Sequence, residues 1–514
     1  MCYCNTAESN ANFFLSDRSI FIMSLFQKSS KMPEISCCDL KMERFCSYSA
    51  SSHNQTAISI SSTIPFKSKI AGLLKLPLIK MFVTGPIAAA IVILLTGGCM
   101  SAETSQKPIW RKGAIHTHTL WSDGRALPEV AVKSYKDLKY DFLCLSEHNL
   151  FPEGEWWMPV ASEEGKWPPN LSRTAFRHAE KMLPGKIISR ERGLRTFVRL
   201  RTFKELQEMF EEKGKFVLIP GGEYTLSFLT PAGELYNAHF NVFNAVMSYQ
   251  AISGKTPEEC MMLNYAQYLK AAKKAPEKSF YMVNHPQYRY WDIDPVLLVR
   301  NPQMTHFEIC NGAVPPSAVK VCSMEKYWDF VLAHRIVNGH KIIYATASDD
   351  AHFYINSIGK PAGLNCGWVM VNTPELTPDK ISEAMNLGDF YPSCGVDLEN
   401  IIYNRAEKKL TVQVKPEKNV NYTISFIVTK KDFDRKIVSR KYEHKNKQFN
   451  REFTVIPENI GVTALTVKGT TGTYTLKEDD LYVRAVIRSD KKITFGKAGG
   501  YPEYQTAWTQ PLVK

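Results

Sequence analysis

Residues 111–397 alternate short apolar runs with helix-like segments, and this alternation is the feature that most constrains the fold. Repeated strand-then-helix units imply parallel strands joined by crossover helices. Seven or eight such units predict an α/β fold, a closed or distorted (β/α) barrel whose functional face lies at the C-terminal strand ends. The predicted strands cover 112–115, 142–145, 216–219, 238–243, 280–283, 306–309, 342–345 and 367–371, and the predicted helices 127–138, 173–183, 203–213, 256–274, 325–338 and 378–387.

The texture of the sequence changes at about residue 400. Segments 410–414, 422–428, 452–456, 464–467 and 481–487 are strand-like, many of them with period-2 alternation. No amphipathic helix separates them, which favours antiparallel pairing. The sequence therefore predicts a C-terminal β module over 400–514, either a sandwich or an extension packed on the barrel domain of 111–397.

An apolar run at 81–98 ends at Cys99 and follows several lysines. A basic region, an apolar stretch and small residues before a cleavage point are typical of a signal peptide. The end of the run resembles a bacterial lipobox, although Thr96 stands where that pattern prefers leucine. We expect a lipoprotein-like, exported chain, periplasmic or on the cell surface, attached to the membrane through a lipidated Cys99. Residues 100–110 would form a tether.

A single transmembrane anchor is the alternative for 81–99, since the run is about long enough to span a bilayer. Both interpretations place the body of the chain outside the cytoplasm. Residues 1–80 are rich in serine and cysteine and show no clear period. We interpret them either as preceding a true start near Met81 or as a disordered cytoplasmic tail.

The net charge of +13 favours acidic partners such as phosphorylated substrates or anionic membranes. The basic residues are dispersed and no nucleic-acid motif occurs, so no nucleic-acid partner is expected. The body cysteines show no CxxC spacing, which gives neither a zinc-finger nor a redox pattern.

Histidines and carboxylates recur where the predicted strands end. His116 and His118 directly follow the first strand, and residues two apart in an extended segment share one face. Asp123 lies in a turn that returns its carboxylate toward the same rim. The remaining members lie at or beside later strand ends; they are His148, Glu223, His239, His285, Asp350 and His352.

This combination of ligand types indicates a metal centre. Imidazoles and carboxylates together suit Zn, Mn or Fe. Nine ligands are too many for one ion, so we expect two or three divalent transition metals that activate water as hydroxide. A single strand-end histidine is more often a structural, hydrogen-bonded residue, but the whole series is hard to explain in that way.

The residues resemble the PHP (polymerase and histidinol phosphatase) domain family. The string from His116 to Gly124, HTHTLWSDG, and the string from Tyr140 to Asn149, YDFLCLSEHN, are similar to the opening motifs of PHP domains. Later matches are Gly222-Glu223, Asn284-His285-Pro286, Glu308 to Gly312 and Ser348 to His352. The resemblance covers about 111–397 and implies a distorted seven-stranded barrel with a trinuclear site that hydrolyses phosphoesters.

Carried over by position, the resemblance implies nine metal ligands: His116, His118, Asp123, His148, Glu223, His239, His285, Asp350 and His352. Glu223 would be the bridging carboxylate. Catalysis is assigned to five of these residues: His116, His118, Asp123, Glu223 and His285. Two departures matter. Glu147 stands where the family usually has aspartate, and the doubled Asp349-Asp350 leaves the register open. The DxH spacing favours Asp350.

The sequence thus predicts a metal-dependent phosphoesterase acting on a small phosphorylated substrate. Two alternatives stay open: hydrolysis of another ester or an amide, and an exported binding protein on a PHP scaffold. Arg195 and Arg199 would share a face if their segment were helical, as a phosphate grip or a solvated surface. Glu308 is either a residue that holds a ligand histidine or merely a strand-end carboxylate.

Overall fold

The computed structural model describes residues 107–161, 171–247, 250–272, 276–314, 321–494 and 502–514. The predictions for 1–80 and for the signal or anchor at 81–99 lie outside these residues. Within them, every helix is too short or too polar to cross a bilayer.

The elements follow the predicted alternation closely in the first half of the body. The helices are α1 (Pro128–Asp137), α2 (Arg173–Met182), α3 (Phe203–Phe210), α4 (Pro257–Ala271), α5 (Tyr288–Trp291), α6 (Pro295–Arg300), α7 (Met324–Val337) and α8 (Pro378–Leu387). The strands up to residue 397 are β1 (Trp110–Ala114), β2 (Phe142–Leu145), β3 (Trp156–Ala161), β4 (Leu171–Ser172), β5 (Ser189–Arg192), β6 (Arg195–Leu200), β7 (Val217–Leu229), β8 (Leu235–Phe243), β9 (Phe280–Val283), β10 (His306–Asn311), β11 (Tyr344–Ser348), β12 (Trp368–Asn372) and β13 (Phe390–Ser393).

Helix starts carry the signals that their sequences indicate. Thr256 caps α4 by accepting a hydrogen bond from the Glu259 amide at 3.1 Å, with proline next in the chain. Thr202 and Glu205 form a reciprocal capping box at α3. These local signals explain why the predicted helix positions agree with the structure.

Nine of the strands up to residue 397 form one large mixed sheet, in the order β11-β10-β9-β8-β7-β2-β1-β12-β13. The pairs β1–β2, β2–β7, β9–β10 and β10–β11 are parallel, whereas β7–β8, β8–β9, β1–β12 and β12–β13 are antiparallel. The α/β class is confirmed. The exclusively parallel arrangement is wrong, because β7 and β8 form a hairpin across a short turn instead of a crossover through a helix.

The closed barrel is also corrected by the structure. In the part of the chain that is described, the hydrogen-bonded ladder does not close into a barrel. The outer strand β11 approaches β1 through an isolated parallel bridge between Thr117 and Ala351, just beyond both strands. Antiparallel β12 occupies the edge of β1 that a closing parallel strand would need.

Beyond residue 397 the strands are β14 (Leu398–Asn404), β15 (Lys409–Val414), β16 (Tyr422–Lys430), β17 (Val438–Tyr442), β18 (Arg451–Val455), β19 (Val462–Lys468), β20 (Thr471–Thr475), β21 (Asp480–Lys492), β22 (Tyr504–Trp508) and β23 (Leu512–Val513). The large sheet continues through β13-β22-β21-β16-β19, and β14-β15-β20 form a second sheet. An apolar core between them includes Leu410, Val412, Ile424 and Phe426. The five predicted strands are present, and the described pairs among β14–β23 are antiparallel.

A small sheet, β4-β3-β6-β5, lies in the chain between β2 and β7 and was not predicted. Its hairpin places Arg195 and Arg199 in strand β6, so the interpretation of a shared helix face is wrong. Arg199 forms an ion pair with Glu205 of α3. The guanidinium of Arg190 lies 3.8 Å from the Trp157 ring centroid.

Candidate metal centre

The chain reaches the centre first through the segment that leaves β1. Buried His116 and His118 flank Thr117, which bridges to Ala351 and whose amide donates a 2.9 Å hydrogen bond to Ser146 Oγ. The His118 amide donates to the Ala351 carbonyl at 3.0 Å. Because Thr117 is held from both sides, the imidazoles on either side of it face the same space.

A tight turn then returns the chain to the same rim. The Gly124 amide donates to the Thr119 carbonyl at 2.9 Å, and a Cβ at Gly124 would lie 2.4 Å from the His118 carbonyl oxygen. Only glycine permits this close approach. Asp123 is thereby placed with its Oδ1 3.3 Å from His148 Nε2 and 3.2 Å from His352 Nε2.

Glu147 stabilises that turn and is not part of the ligand cluster. Its carboxylate accepts from the Thr119 amide at 3.1 Å, from the Thr119 hydroxyl at 2.5 Å and from the Ser122 hydroxyl. The sequence showed Glu147 only as a departure from the family motif. Its role depends on chain positions 25 to 28 residues away, which no local pattern shows.

Glu223, completely buried, lies at the middle of the cluster. Its Oε1 is 3.5 Å from His116 Nε2 and 3.1 Å from His239 Nδ1. Its Oε2 is 3.5 Å from His118 Nε2 and 2.7 Å from His148 Nδ1. The two oxygens therefore face two different sets of imidazoles, which is the geometry of a bridging carboxylate.

The two adjacent aspartates, Asp349 and Asp350, have different partners. Asp350 Oδ1 lies 3.4 Å from His116 Nε2 and 3.2 Å from His118 Nε2. Asp349 instead accepts hydrogen bonds from the backbone amides of 365–367 and from the Tyr135 hydroxyl. The structure thus places Asp350, and not Asp349, in the cluster.

His285 lies at the margin of the group. Its Nε2 is 3.9 Å from Glu223 Oε1 and 3.8 Å from Asp350 Oδ2. His285 and Asp350 both have positive φ, 21° and 48°, a conformation uncommon outside glycine. Such backbone strain concentrates at functional sites, where the surroundings hold a residue in place.

All nine residues assigned from the sequence therefore converge on one rim. Three overlapping sets have ligand atoms within 4.8 Å of one another: His118, Asp123, His148 and His352; His116, His118 and Glu223; and His148, Glu223 and His239. His118, His148 and Glu223 each belong to two sets, which suits adjacent cations that share ligands.

Glu308 forms hydrogen bonds with two members of the cluster and orients them. It accepts from His116 Nδ1 at 2.8 Å and from the His285 amide at 2.8 Å, while Asn311 and Ser348 donate to the same carboxylate. Holding Nδ1 leaves Nε2 of His116 turned toward the centre. Of the two interpretations offered by the sequence, the structure favours the one in which Glu308 holds a ligand histidine.

The carboxylates are ionised in this environment. Burial raises the pKa values of Asp123, Glu223 and Asp350, but the surrounding imidazoles outweigh it and hold each pKa well below its usual range. Burial lowers the pKa of His118 and of His285 to about 4, so both rings are neutral and have a lone pair to offer.

Three other histidines, by contrast, are held in the doubly protonated, cationic form. Burial lowers the pKa of His352, but Asp123 and Asp350 outweigh it and raise the pKa to about 9. The pKa values of His116 and His148 are raised in the same way by neighbouring carboxylates. A cation that binds these rings has to displace their protons.

A further observation supports the fit of these residues to a transition-metal site. Buried atoms that face the cluster, namely His116 Nε2, His118 Nε2, Asp123 Oδ1 and Glu223 Oε2, lie close to other cluster members but form no hydrogen bond of suitable geometry with the described residues. Leaving buried polar atoms unpaired is costly unless another group satisfies them. Imidazoles and carboxylates are the ligands that Zn, Mn and Fe prefer.

Comparisons with known proteins return similarities to solved structures alone. No family model and no curated protein matches the chain. A two-domain protein from Bacteroides vulgatus, described as containing a predicted PHP-like metal-dependent phosphoesterase, is 16% identical with a TM-score of 0.32, covering 79% of this chain and 96% of that one.

Two further solved structures are similar at lower scores. A protein from Bifidobacterium adolescentis described as a metal-dependent phosphoesterase is 11% identical with a TM-score of 0.24, covering 55% of this chain and 96% of that one. An amidohydrolase from Chromobacterium violaceum, with bound sulfate and no metal, is 13% identical with a TM-score of 0.22, covering 47% and 87%.

Proposed function

We propose that this chain is a metal-dependent phosphoesterase of the PHP type. The observation that carries the proposal is the placement of Glu223, whose two carboxylate oxygens face separate groups of imidazoles. Two or three divalent cations, Zn, Mn or Fe, would supply a bound water of lowered pKa and stabilise charge on phosphoryl oxygens.

The chain's own residues would divide the work between them. Glu223 would bind two cation positions, Asp350 would bind beside His116 and His118, and Asp123, His148 and His352 would bind a further one. Neutral His118 and His285 offer lone pairs without prior loss of a proton. Oxyanions of the substrate would be drawn to a centre that is positively charged once cations are bound, in a chain of net charge +13.

Metal analysis and an aryl phosphate assay with added Mn²⁺ test this proposal. We expect at least two transition-metal ions per chain and turnover that a chelator abolishes. His118→Ala should lose the turnover and retain the fold by circular dichroism. His340→Ala is the matched control, because His340 is exposed, precedes strand β11 and belongs to none of the clustered sets.

Other outcomes separate the alternatives. Bound metal without phosphatase turnover, together with hydrolysis of a carboxylic ester or amide, would show that the enzyme cleaves one of these bonds instead of a phosphoester. Bound metal without any turnover would favour a binding protein. A chain that takes up no transition metal under any loading condition would contradict the proposal.

We also propose that the chain is exported and membrane-anchored through Cys99. The support is the sequence pattern of 81–99 alone. Cys99→Ser should abolish incorporation of labelled fatty acid and move the protein from the membrane to the soluble fraction. Retention on the membrane without labelling would favour an anchor helix.

A further inference from the structure

A row of polar side chains leads away from the metal centre along the β7–β8 hairpin. The directly opposed pairs are Glu223 with Asn241, Thr225 with His239, and Ser227 with Asn237. Alternate residues of a strand share a face, so these three pairs lie on one side of the hairpin. The intervening residues of β7, Tyr224, Leu226 and Phe228, are buried apolar or aromatic side chains on the other side.

Hydrogen bonds continue this row beyond the hairpin. The Ser227 hydroxyl donates to Asn237 Oδ1 at 2.8 Å, and Asn237 Nδ2 donates to Asp292 Oδ2 at 3.1 Å. Asp292 Oδ1 forms an ion pair of 2.8 Å with an Arg451 amino group, and the two side chains are 2% and 1% exposed. Arg451 belongs to β18, so the row ends on the C-terminal β module.

Arg451 also contacts β8 directly, just before the ligand His239. Its guanidinium donates to the Leu235 carbonyl and lies 3.8 Å from the Tyr236 ring centroid. Three residues later, Thr454 donates from its amide and hydroxyl to the Asp294 carboxylate, at 2.7 and 2.6 Å. Strand β18 therefore holds both β8 and the segment that follows α5.

Helix α5 connects that segment to the metal centre. Asp292 is its C-terminal capping residue. At its other end, the Tyr288 ring centroid lies 5.1 Å from that of His285 and 5.5 Å from that of His239. A one-turn helix is short enough that displacement of Asp292 also displaces Tyr288.

We propose that the C-terminal β module shapes the metal centre, with Arg451 as the positioning residue that acts through Asp292 on Asn237, His239 and Tyr288. The proposal rests on the proposed function only in supposing that cations bind the cluster. Tyr288, whose ring lies beside those of His239 and His285, would then border the cation positions on that side.

The chain offers a matched control for simple attachment of the module. Arg484 of β21 and Asp329 of α7 also form a buried ion pair between the two parts, at 2.6 Å with both side chains 1% exposed. Neither residue has a described contact with the nine clustered residues. Loss of this pair should weaken the attachment without altering the centre.

The experiment replaces each ion pair in the full chain by apolar residues of similar volume, Arg451→Met with Asp292→Leu, and Arg484→Met with Asp329→Leu. Replacing both partners avoids an isolated buried charge. Each protein is loaded with Co²⁺ for its visible spectrum and with Mn²⁺ for kcat and KM on an aryl phosphate. Melting temperature reports attachment in both.

We expect the first double variant to show an altered Co²⁺ spectrum and at least a tenfold lower kcat/KM. The second should stay within twofold of the parent in kcat/KM with an unchanged spectrum. Equal spectra for the parent and the first variant, or equal changes in both variants, would overturn the proposal. The spectrum decides this even if the parent hydrolyses no phosphate.

If the first double variant does not fold, Asn237→Val gives the same test within the hairpin. It removes the link to Asp292 and leaves the Arg451–Asp292 ion pair in place. We expect the same spectral change as above, and an unchanged spectrum would again overturn the proposal.

Discussion

The metal centre and the contact with the C-terminal module both bury charged groups, but they satisfy them differently. At the contact, Arg484 donates to both oxygens of Asp329, at 2.7 and 2.6 Å. Burial lowers the pKa of Arg484, but Asp329 outweighs it and raises the pKa above its ordinary value. At the centre, Nε2 of His118 and Oε2 of Glu223 form no hydrogen bond with the described residues, whereas at the contact this holds for Nη1 of Arg484 but not for its other two nitrogens.

This difference separates stability from function. A buried charge is costly unless a partner compensates it, and at the contact the chain supplies that partner itself. At the candidate centre the chain brings ligand atoms together, and cations would compensate those that form no hydrogen bond. Substitutions at the Arg484–Asp329 contact should therefore lower the free energy of unfolding alone, whereas substitutions at the centre should reduce metal binding and turnover.

Glu223→Ala removes the central carboxylate of the cluster and should have the largest effect of these substitutions. Loss of the bridging carboxylate removes a ligand from two cation positions, so we expect metal-dependent turnover to fall by about a thousandfold or more. Steady-state kinetics and metal content measure this. Substitution of exposed Glu208 by alanine is the control, and turnover near the parent level in Glu223→Ala would contradict the bridging role.

Arg484→Met tests the contact. It leaves Asp329 buried without its cation, so the free energy of unfolding should fall by about 3–5 kcal/mol. Urea denaturation measures this change. Turnover per folded, metal-loaded molecule should match that of the parent, and a loss of turnover without a loss of stability would break the distinction between the two regions.

Glu308→Gln should have an intermediate effect, because Glu308 contacts ligands but is not one. The amide no longer offers two anionic oxygens to the His116 ring and the His285 amide, so metal affinity should fall by about 10–100-fold. Competition with a metallochromic indicator gives the affinity. An unchanged affinity would show that His116 needs no support from Glu308.

Raising the pH should tighten metal binding in the parent. The pKa of His352 is raised to about 9, so at neutral pH a cation competes with a proton there. Affinity should increase by about tenfold per pH unit for each proton displaced, up to about pH 9. The indicator titration repeated between pH 6 and 9 checks this sign, and an affinity that falls with pH would contradict it.

The sequence determined much of the first half of the molecule. The period of the apolar runs and the capping signals located the strands and helices, since both act within a few residues. The ligand types and their strand-end placement singled out the residues that meet at the rim, with the register between Asp349 and Asp350 left open. The small sheet β4-β3-β6-β5, by contrast, was not predicted, because its arginine-rich hairpin shows no strong alternation of polar and apolar residues.

Only the tertiary structure decided how those elements are joined. Whether β7 and β8 form a hairpin or a crossover, and whether the sheet closes, depends on pairing between distant residues. The same holds for the choice of Asp350 over Asp349, for Glu147 holding a turn 25 residues away, and for Arg451 reaching Asp292. A sequence determines which groups can bind or pair because that is local chemistry. Which of them meet depends on long-range packing.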